Sequence, residues 1–543
     1  MTPMPQDLHW YSAFSQAQAD MRLERHFGTE MRCFARRPAN IDDFFTATVA
    51  QHGEREAVVD GERRLSFSQL DRKVDNLAAG LAAHGIGVGE RVVLLLGNRA
   101  EFLALVLACA RIGAVAVPMG IRHARDEVRH VVNDCAAVAL VFESSLDAVV
   151  PSPAETPTIR LLACAGDRLP NVMHVDDLAS FGGPAPRAAV AEEETAVLLY
   201  TSGTTGHPKG AMLTHLGIVH SVMHFARCYE LNENDRTLLA VPCSHVTGLV
   251  SLLLTATFVG SCSVLMSAFK ARDFLAIAQQ EAITYTLMVP AMYLLCLREE
   301  TVDRHDLPAW RVGGFGGTPM PETAIEALAR RWPRLRLQQG YGATETTSPT
   351  SLMPAAAAAT HMDSVGQVVP CGHVRVVDSE GNEVPPGTAG EVWVGGPMVV
   401  RGYWNNPTAN EHSFLDGFWK SGDVGSIDES GFLKIFDRLK DMINRGGYKI
   451  FSAEVENALA QHPEVIESAV FGHPDPVLFE RVRAIVVIRS EATDAQALRE
   501  FCASRLADYK VPEIIELRTE LLPRNANGKI RKNLLRQPHP QTL

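Results

Sequence analysis

The residues best suited to chemistry stand in one short loop, residues 200–210, whose sequence is YTSGTTGHPKG. Hydroxyl groups and a lysine donate hydrogen bonds to an anion, and glycines let backbone N–H groups turn inward toward it. The loop follows an apolar stretch at residues 196–199 that is typical of a buried strand. It is not a Walker-type loop, because Pro208 stands directly before the lysine. A flexible linker would not need so many hydroxyls, and the pattern therefore predicts a phosphate-binding loop.

A second motif, QGYGATE at residues 339–345, indicates a nucleotide and a divalent cation. Its glycines permit the backbone to approach a ligand closely, and Tyr341 offers a ring face for a purine. Glu345 supplies a hard oxygen ligand, and Mg²⁺ bound to phosphates usually takes one or two protein carboxylates. The alternative is an ordinary turn with an exposed acid, which becomes less favoured when a phosphate loop is present in the same chain.

Four further motifs have ordinary explanations when each is taken alone. GGFGGTP at residues 313–319 could be a strand-to-helix turn, and Asp423 in SGD could be a turn residue. His245 in PCSH could be a satisfied core histidine, and Lys529 in LPRNANGK could be a solvated lysine. Their order along the chain is what gives them meaning.

In that order, from about Ile41 to Leu535, the motifs resemble the adenylate-forming superfamily of acyl-CoA synthetases, peptide-synthetase adenylation domains and luciferases. The resemblance implies that Tyr341 flanks the adenine and that Thr344 contacts the α-phosphate. It also implies that Glu345 and Thr204 hold Mg²⁺. The ATP- and AMP-binding residues implied are Thr201, Ser202, Gly203, Thr204, Thr205, Gly206, Lys209, Gly316, Gly317, Thr318, Gln339, Gly340, Tyr341, Gly342, Thr344, Asp423, Arg438 and Lys529.

The same resemblance assigns chemical roles. Lys529 would bridge the substrate carboxylate and the α-phosphate, and His245 would lie beside the carboxylate. The implied catalytic set is Lys529, Thr204, Lys209, Glu345 and His245, with Asp423 and Arg438 on the ribose. Lys440 resembles the hinge of a swivelling small domain, and the CoA-binding stretch is Gly446, Gly447, Tyr448 and Lys449. The chain departs from the family pattern at Gly317, where alanine is common, and at Asn525, where a threonine or small residue is usual.

The pocket for the acid is expected from small or apolar residues without a lysine or arginine to pair a second carboxylate. These residues are His245, Val246, Gly248, Gly314, Phe315, Gly340 and Ser348. The set favours a monocarboxylate. Gly248 and Gly314 are expected to leave room for a chain, so a medium- or long-chain fatty acid is predicted first and an aryl acid is the alternative.

The amino-acid composition limits the classes of protein to which this chain could belong. The chain has 543 residues, 46% hydrophobic and 21% charged, which is typical of a globular protein with more than one domain. A net charge of -12 argues against a nucleic-acid partner. The ten cysteines include no C-x-x-C pair, and no apolar run or signal peptide is evident, so we expect a cytoplasmic enzyme without a transmembrane segment. A homodimer is possible.

The elements that position these motifs alternate between strand and helix from residue 41 onward, which predicts an α/β fold with doubly wound, mostly parallel sheets. We expect an N-terminal extension at 1–40 as a helical arm, an AMP-binding domain at 41–437 containing a small β unit, and a mobile α+β domain at 438–543. A helix is predicted to begin at Met212, directly after the phosphate loop, and residues 147–194 are predicted to be irregular.

The hypothesis is an ATP-dependent acid–thiol ligase that uses Mg²⁺ and coenzyme A. The acid would first attack the α-phosphorus of ATP, and CoA would then attack the acyl-adenylate. An adenylation enzyme that loads a separate carrier protein shares the first step, and a luciferase-like oxygenase is a third possibility. A non-catalytic nucleotide-binding regulator would be expected to lose Lys529, Glu345 or Asp423, and all three are present.

Overall fold

The structure is a computed structural model that describes residues 20–181, 185–201, 208–318, 320–490, 493–524 and 530–536. The chain forms two compact units. The first comprises residues 1–375, 393–420 and 428–433, and the second comprises 376–392, 421–427 and 434–543. The predicted domain boundary at residue 437 remains a prediction.

The first unit contains a seven-stranded sheet that is parallel except at one edge. Its central strands are continuous apolar runs, as expected for a sheet that helices cover on both faces. In spatial order the strands are Lys209–Thr214, Thr195–Thr201, Val115–Met119, Arg91–Leu95, Ala139–Glu143, Leu161–Ala165 and Met173–His174.

A nine-stranded sheet forms the second layer of this unit, and its six central strands run parallel. The strands at both ends are antiparallel to their neighbours. In order they are Gln367–Val368, Ser348–Leu352, Arg336–Ala343, Val312–Gly316, Tyr285–Met288, Arg236–Leu239, Cys262–Leu265, Glu56–Asp60 and Arg63–Ser66.

Helices connect and cover these strands, which confirms the doubly wound α/β prediction. The helix Ala100–Ile112 is buried along its whole length, and a Schellman-type turn at Gly113 ends it. The helices of the first unit are Ile41–His52, Phe67–Ala83, Ala100–Ile112, Arg125–Asp134, Val175–Leu178, His215–Cys228, Thr255–Val259, Ala271–Gln280, Pro290–Leu297, Glu322–Arg331 and Pro407–Ser413. Shorter 3₁₀ turns are Ser144–Val149, Val302–Arg304, Thr344–Thr346 and Ala355–Ala357, and Thr247–Leu254 is a π-helix.

Three local predictions are wrong. Residues 21–34 form a β-hairpin, Met21–His26 and Thr29–Phe34, where a helical arm was expected. A strand, Lys209–Thr214, follows the phosphate loop before the helix begins at His215, because this segment pairs with Thr195–Thr201. The region expected to be irregular contains the buried strand Leu161–Ala165, whose pairing with Ala139–Glu143 depends on tertiary structure.

Residues 373–438 contribute a five-stranded sheet, with the strands His373–Val377, Gly390–Gly395, Phe418–Ile427, Phe414–Leu415 and Leu433–Arg438. The second unit contains the predicted α+β region. Its strands are Tyr448–Ile450, Ile443–Arg445, Phe479–Ile488, Val465–Asp475 and Ile514–Arg518. Its helices are Ser452–Ala460, Ala495–Ala503 and Lys532–Leu535, with a 3₁₀ turn at Asp508–Lys510. In the part of the chain that the structure describes, no helix is both long and apolar enough to cross a membrane.

Candidate active site

The predicted phosphate loop lies at the end of an antiparallel hairpin in the seven-stranded sheet. Thr201 ends the first strand, and Lys209 begins the second directly opposite it. Both residues are half-buried. Ser202, Gly203, Thr204, Thr205 and Gly206 lie outside the described residues. The hairpin therefore fixes the backbone positions of the two residues that flank the loop.

Lys209 and the predicted metal ligand Glu345 both contact the side chain of Tyr403. Its Nζ lies 5.0 Å from the centre of the Tyr403 ring, in a cation–π contact. The Tyr403 hydroxyl donates a hydrogen bond of 2.8 Å to Oε1 of Glu345. Burial, and then the adjacent carboxylate, raises the pKa of Tyr403, so its hydroxyl stays protonated and remains a donor. We call these three residues the charge array.

Tyr403 is a candidate site residue that the sequence interpretation missed. Backbone bonds between the phosphate hairpin and residues 401–404 place it: the Met212 N–H donates to the Gly402 carbonyl, and the Trp404 N–H donates to the Gly210 carbonyl. The Val400 N–H donates to the Glu345 carbonyl at 2.9 Å. The sequence signal that could have indicated Tyr403 is the aromatic pair after glycine in RGYW, at residues 401–404. Only the fold shows that this segment lies beside both the phosphate loop and the QGYGATE motif.

Glu345 sits on a strained turn that follows the strand Arg336–Ala343. Two residues later in this turn, Thr347 and Ser348, have φ values of 49° and 96°, a region that non-glycine residues rarely occupy. A Cβ on Gly342 would lie 1.6 Å from the Ser348 carbonyl oxygen, so only glycine fits there. Such strain typically persists at ligand-binding sites. Thr344, which begins this turn, accepts through its carbonyl from the Thr347 N–H.

The residues present fit Mg²⁺ with a single protein carboxylate, because Glu345 is half-buried beside the phosphate hairpin. Another group of possible metal ligands, Glu24, His26 and Cys33, has donor atoms within 4.8 Å of one another. Arg37 binds Glu24 there at 2.7 Å, and burial raises the pKa of Cys33 to about 12. All ten cysteines are buried and free of disulfides.

The purine side of the predicted site is formed by two adjacent parallel strands, Val312–Gly316 and Arg336–Ala343. A Cβ on Gly316 would lie 2.5 Å from the Gly340 carbonyl oxygen, which explains glycine at that position. Gly317 has a φ of 82° and, like Thr318, is exposed after the strand ends. Gln339 and Tyr341 alternate with the glycines and are half-buried. The predicted adenosine residues thus lie together at the carboxyl ends of two adjacent parallel strands.

One face of these strands carries little side-chain volume. Gly314, Gly316, Gln338 and Gly340 share it, because Gly314 pairs with Gln338 and Gly316 pairs with Gly340. We call it the glycine-lined face. Phe315, which was expected near the acyl pocket together with Gly314, points the other way, into the core cluster with Met288 and Met320.

The remaining predicted pocket residues lie around the π-helix Thr247–Leu254. His245 and Val246 are half-buried on the turn before it, and the His245 carbonyl accepts from the Leu249 N–H at 2.8 Å. Ser251 in this helix shares a hydrogen bond of 2.6 Å with Ser348. A Cβ on Gly248 would lie 2.2 Å from the Pro242 carbonyl oxygen, so this glycine permits close backbone packing and does not leave space. π-helices often occur at functional sites.

In the second unit, Asp423 is buried and its Oδ1 accepts from Nε of Arg438 at 2.7 Å. The Ser421 hydroxyl fixes the turn, because it accepts from the Asp423 N–H and donates to the Val392 carbonyl. A carboxylate has lone pairs for several hydrogen bonds, so Asp423 can also accept from the two hydroxyls of a ribose. The predicted pairing of Asp423 with Arg438 is present.

The predicted CoA-binding stretch is a tight hairpin in the second unit. Gly446 and Gly447 have φ values of 58° and 94°, which suits a two-residue loop between Ile443–Arg445 and Tyr448–Ile450. The exposed Tyr448 stacks on Tyr509 at 4.6 Å, and Lys449 is exposed. Lys440 is exposed too, and its carbonyl accepts from Arg536. Lys529 lies outside the described residues.

Two family models match the chain. The model described as "AMP-binding enzyme" covers residues 45–404, and the model described as "AMP-binding enzyme C-terminal domain" covers residues 454–529. All three residues of the charge array lie within the first of these matches.

Curated relatives and solved structures cover nearly the whole chain. A feruloyl-CoA synthase of an Amycolatopsis species is 36% identical over 89% of this chain and 95% of its own length. The long-chain-fatty-acid–CoA ligase FadD13 of Mycobacterium tuberculosis is 32% identical over 88% of this chain and 94% of its own. The o-succinylbenzoate CoA synthetase of Bacillus subtilis, solved with its acyl-adenylate intermediate, superposes with a TM-score of 0.81 at 30% identity, covering 92% of this chain and 99% of that one.

Proposed function

Because the chain belongs to the AMP-binding enzyme family of adenylate-forming acyl-CoA synthetases, we propose that it joins an aromatic monocarboxylic acid to coenzyme A. The chain is an AMP-forming acid–thiol ligase, since its curated relatives are CoA ligases of that class. The observation that carries the adenylation step is the charge array, in which Tyr403 links the phosphate-hairpin lysine to the proposed Mg²⁺ carboxylate.

In the first step the acid carboxylate attacks the α-phosphorus of ATP and pyrophosphate leaves. The protein contributes position and charge, and little covalent chemistry. Lys209 would neutralise phosphate oxygens, and Tyr403 orients the Glu345 carboxylate that would hold Mg²⁺. Mg²⁺ would supply charge neutralisation at the departing pyrophosphate. Lys529 would bind the carboxylate and the α-phosphate together. Asp423, paired with Arg438, would accept hydrogen bonds from the ribose hydroxyls.

In the second step the CoA thiolate attacks the acyl carbon, and AMP leaves with the electron pair of the acyl–oxygen bond. We propose that the Gly446–Gly447 hairpin receives the pantetheine arm. Its two residues lack side chains and have an exposed backbone, which suits the close approach of an extended ligand. The hinge role of Lys440 and the position of His245 beside the carboxylate are parts of the same proposal.

The proposed class of acid is supported by the packing of the glycines in the predicted pocket. The prediction of a fatty acid rested on Gly248 and Gly314 leaving room for a chain. A Cβ on Gly314 would lie 3.1 Å from the Leu287 side chain and 3.3 Å from the Tyr229 hydroxyl, and Gly248 packs on Pro242. This packing supports a compact, flat acid more than a long chain. A medium- or long-chain fatty acid is the alternative, in line with the fatty-acid ligase among the relatives.

The test is to incubate the protein with ATP, Mg²⁺, CoA and a panel of aryl, fatty and short acids, and to identify products by mass spectrometry. We expect acyl-CoA with aryl acids ranked above fatty acids. A ranking led by long-chain acids would contradict the aryl proposal but not the ligase.

A carrier-protein ligase is the second candidate, because it shares the adenylation step. The same experiment separates the two: acyl-adenylate without any thioester would indicate that the acceptor is a carrier protein and not CoA. No adenylate from any acid would contradict the proposed function, and ATP affinity would then identify a nucleotide binder.

A further inference from the structure

Tyr229 follows the last residue of the helix His215–Cys228 and is 1% exposed, yet its hydroxyl has no hydrogen-bond partner. Two neighbouring buried tyrosines differ from it. The Tyr285 hydroxyl donates to the Ser251 carbonyl at 3.2 Å, and the Tyr293 hydroxyl donates to the Gly314 carbonyl at 2.8 Å. Buried polar groups are nearly always paired, so an unpaired hydroxyl at this position requires an explanation.

The Tyr229 hydroxyl points at the glycine-lined face. It lies 3.3 Å from the position that a Cβ on Gly314 would take, and 3.7 Å from that of a Cβ on Gly340. The other nearest side chains there are those of Leu287 and Leu352. The phenolic ring itself is fixed by packing on Phe225 and Tyr285, each with a centroid distance of 5.7 Å.

A second unpaired polar atom belongs to the same face. Gln338, which is 1% exposed and pairs with Gly314 across the strands, donates through Nε2 to the Met353 carbonyl at 2.9 Å. Its Oε1 has no partner. The amide cannot be flipped without placing two acceptors together, so an acceptor faces this region.

Other unpaired atoms on the same helix do not share this setting. Ser221 and His224 lie one to two turns earlier, and the His224 ring packs against Phe34 of the N-terminal hairpin at 5.3 Å. The rings of Phe34 and His220 both pack against His224. Only around Tyr229 do an unpaired donor and an unpaired acceptor lie by a surface lined with glycine, among the residues that the structure describes.

We propose that Tyr229 and Gln338 form a subsite for an oxygen substituent on the acid, distal to its carboxylate. The Tyr229 hydroxyl donates to this oxygen, and Gln338 Oε1 accepts from it when the substituent is a hydroxyl. The ligand class is a hydroxylated aromatic monocarboxylic acid. This inference rests on the proposed function and makes its substrate class more specific.

The protonation state of Tyr229 suits this role. Burial raises the pKa of its hydroxyl, so the group stays neutral and donates throughout the physiological pH range. A site that hydrogen-bonds a substrate hydroxyl discriminates strongly against the analogue that lacks it, because the buried protein groups are then left unpaired. An aliphatic acid would leave both atoms without partners.

The experiment compares kcat/KM for matched acids: cinnamate, benzoate and phenylacetate, each with its 3- and 4-hydroxy derivatives, and octanoate. In the wild type we expect a hydroxylated acid to exceed its plain parent about tenfold or more. Tyr229→Phe should reduce that ratio by about tenfold to a hundredfold, because it removes the donor and keeps the ring. Tyr285→Phe is the matched control, since the protein satisfies that hydroxyl, and it should keep the wild-type ratio.

A wild type that prefers no hydroxylated acid over its parent would overturn the inference, as would a ratio that Tyr229→Phe leaves unchanged. Either result is compatible with acyl-CoA formation, so the ligase would stand. If no acid yields acyl-CoA, the proposed function fails. Calorimetric binding of hydroxylated and plain acids to the wild type and to Tyr229→Phe then decides the subsite separately. Thermal unfolding of both variants verifies that they fold.

Discussion

The charge array and the glycine-lined face lie in the same compact unit, but they differ in whether their polar atoms have partners within the protein. In the array, the Tyr403 hydroxyl donates to the Glu345 carboxylate, and the Lys209 ammonium lies over the Tyr403 ring. On the glycine-lined face, Tyr229 Oη and Gln338 Oε1 have no protein partner.

The difference reflects what each region has to recognise. The phosphates of ATP are the same whatever the acid, so groups fixed before binding lower the cost of stabilising charge. The acid is what distinguishes one such ligase from another. Polar atoms left for the ligand to satisfy give selectivity, at a cost in the stability of the free protein.

The largest effect is expected from Lys529→Ala, which removes charge and should leave acid preference unchanged. Loss of one charge-stabilising donor costs about 10²- to 10³-fold in rate. Adenylation, measured by pyrophosphate exchange, should fall by that factor, whereas thioester formation from preformed acyl-adenylate should persist. Equal loss of both half-reactions would contradict the assigned role, and Lys532→Ala serves as a nearby control because its ammonium pairs with Glu456 in the fold.

The next largest effect is expected on the free energy of unfolding at low pH, through the buried histidines of the helix His215–Cys228. Burial lowers the pKa of His215 to about 4 and that of His220 to about 3, against about 6.5 in the unfolded chain. The ring nitrogens accept from backbone N–H groups, His215 from Ile41 and His220 from Phe34, which requires the unprotonated form. The unfolded state binds the extra protons, so stability is present above pH 6.5 and is lost as the pH falls.

Each of these histidines should therefore cost about 2 kcal/mol of unfolding free energy by pH 5. Urea denaturation at pH 7.5 and pH 5 measures this, and His220→Gln should reduce the difference between the two values. An unfolding free energy that is the same at both pH values would contradict it.

A smaller effect is expected from Tyr403→Phe, which breaks the array without removing a charge. Hydrogen bonds to charged groups contribute about 1.5–3 kcal/mol, and loss of this one should lower kcat/KM roughly tenfold. Because Glu345 would be less well oriented for Mg²⁺, more Mg²⁺ should be needed for half-maximal rate. Trp404→Phe is the adjacent control. An unchanged Mg²⁺ dependence would mean that the Tyr403–Glu345 bond has no part in metal binding.

The smallest effect distinguishes the two regions through stability alone. Tyr229→Phe removes an unpaired hydroxyl and should leave the free protein as stable or more stable, by about 1 kcal/mol. Tyr285→Phe removes a paired hydroxyl from the same face and should destabilise by about 1 kcal/mol. Thermal melts of the ligand-free proteins test the pair, and destabilisation by Tyr229→Phe would show that its hydroxyl is satisfied.

The sequence by itself determined the parts that local pattern encodes. Strand and helix periodicity gave the doubly wound α/β class, and the glycine-rich motifs indicated Lys209, Glu345 and the Asp423–Arg438 pair. These motifs can be read because turn geometry and close backbone approach restrict residue type within a few positions, as Gly342 illustrates. The reaction class also came from the sequence, through the ordered resemblance of its motifs.

Only the tertiary structure decided which distant residues meet. Tyr403 and Glu345 are 58 residues apart, and the pairing of residues 401–404 with the phosphate hairpin joins them. Strand register decided that Phe315 faces the core while Gly314 faces Tyr229, and packing decided that Gly248 leaves no space. Side-chain orientation across neighbouring strands depends on long-range pairing, and no local sequence pattern contains that information.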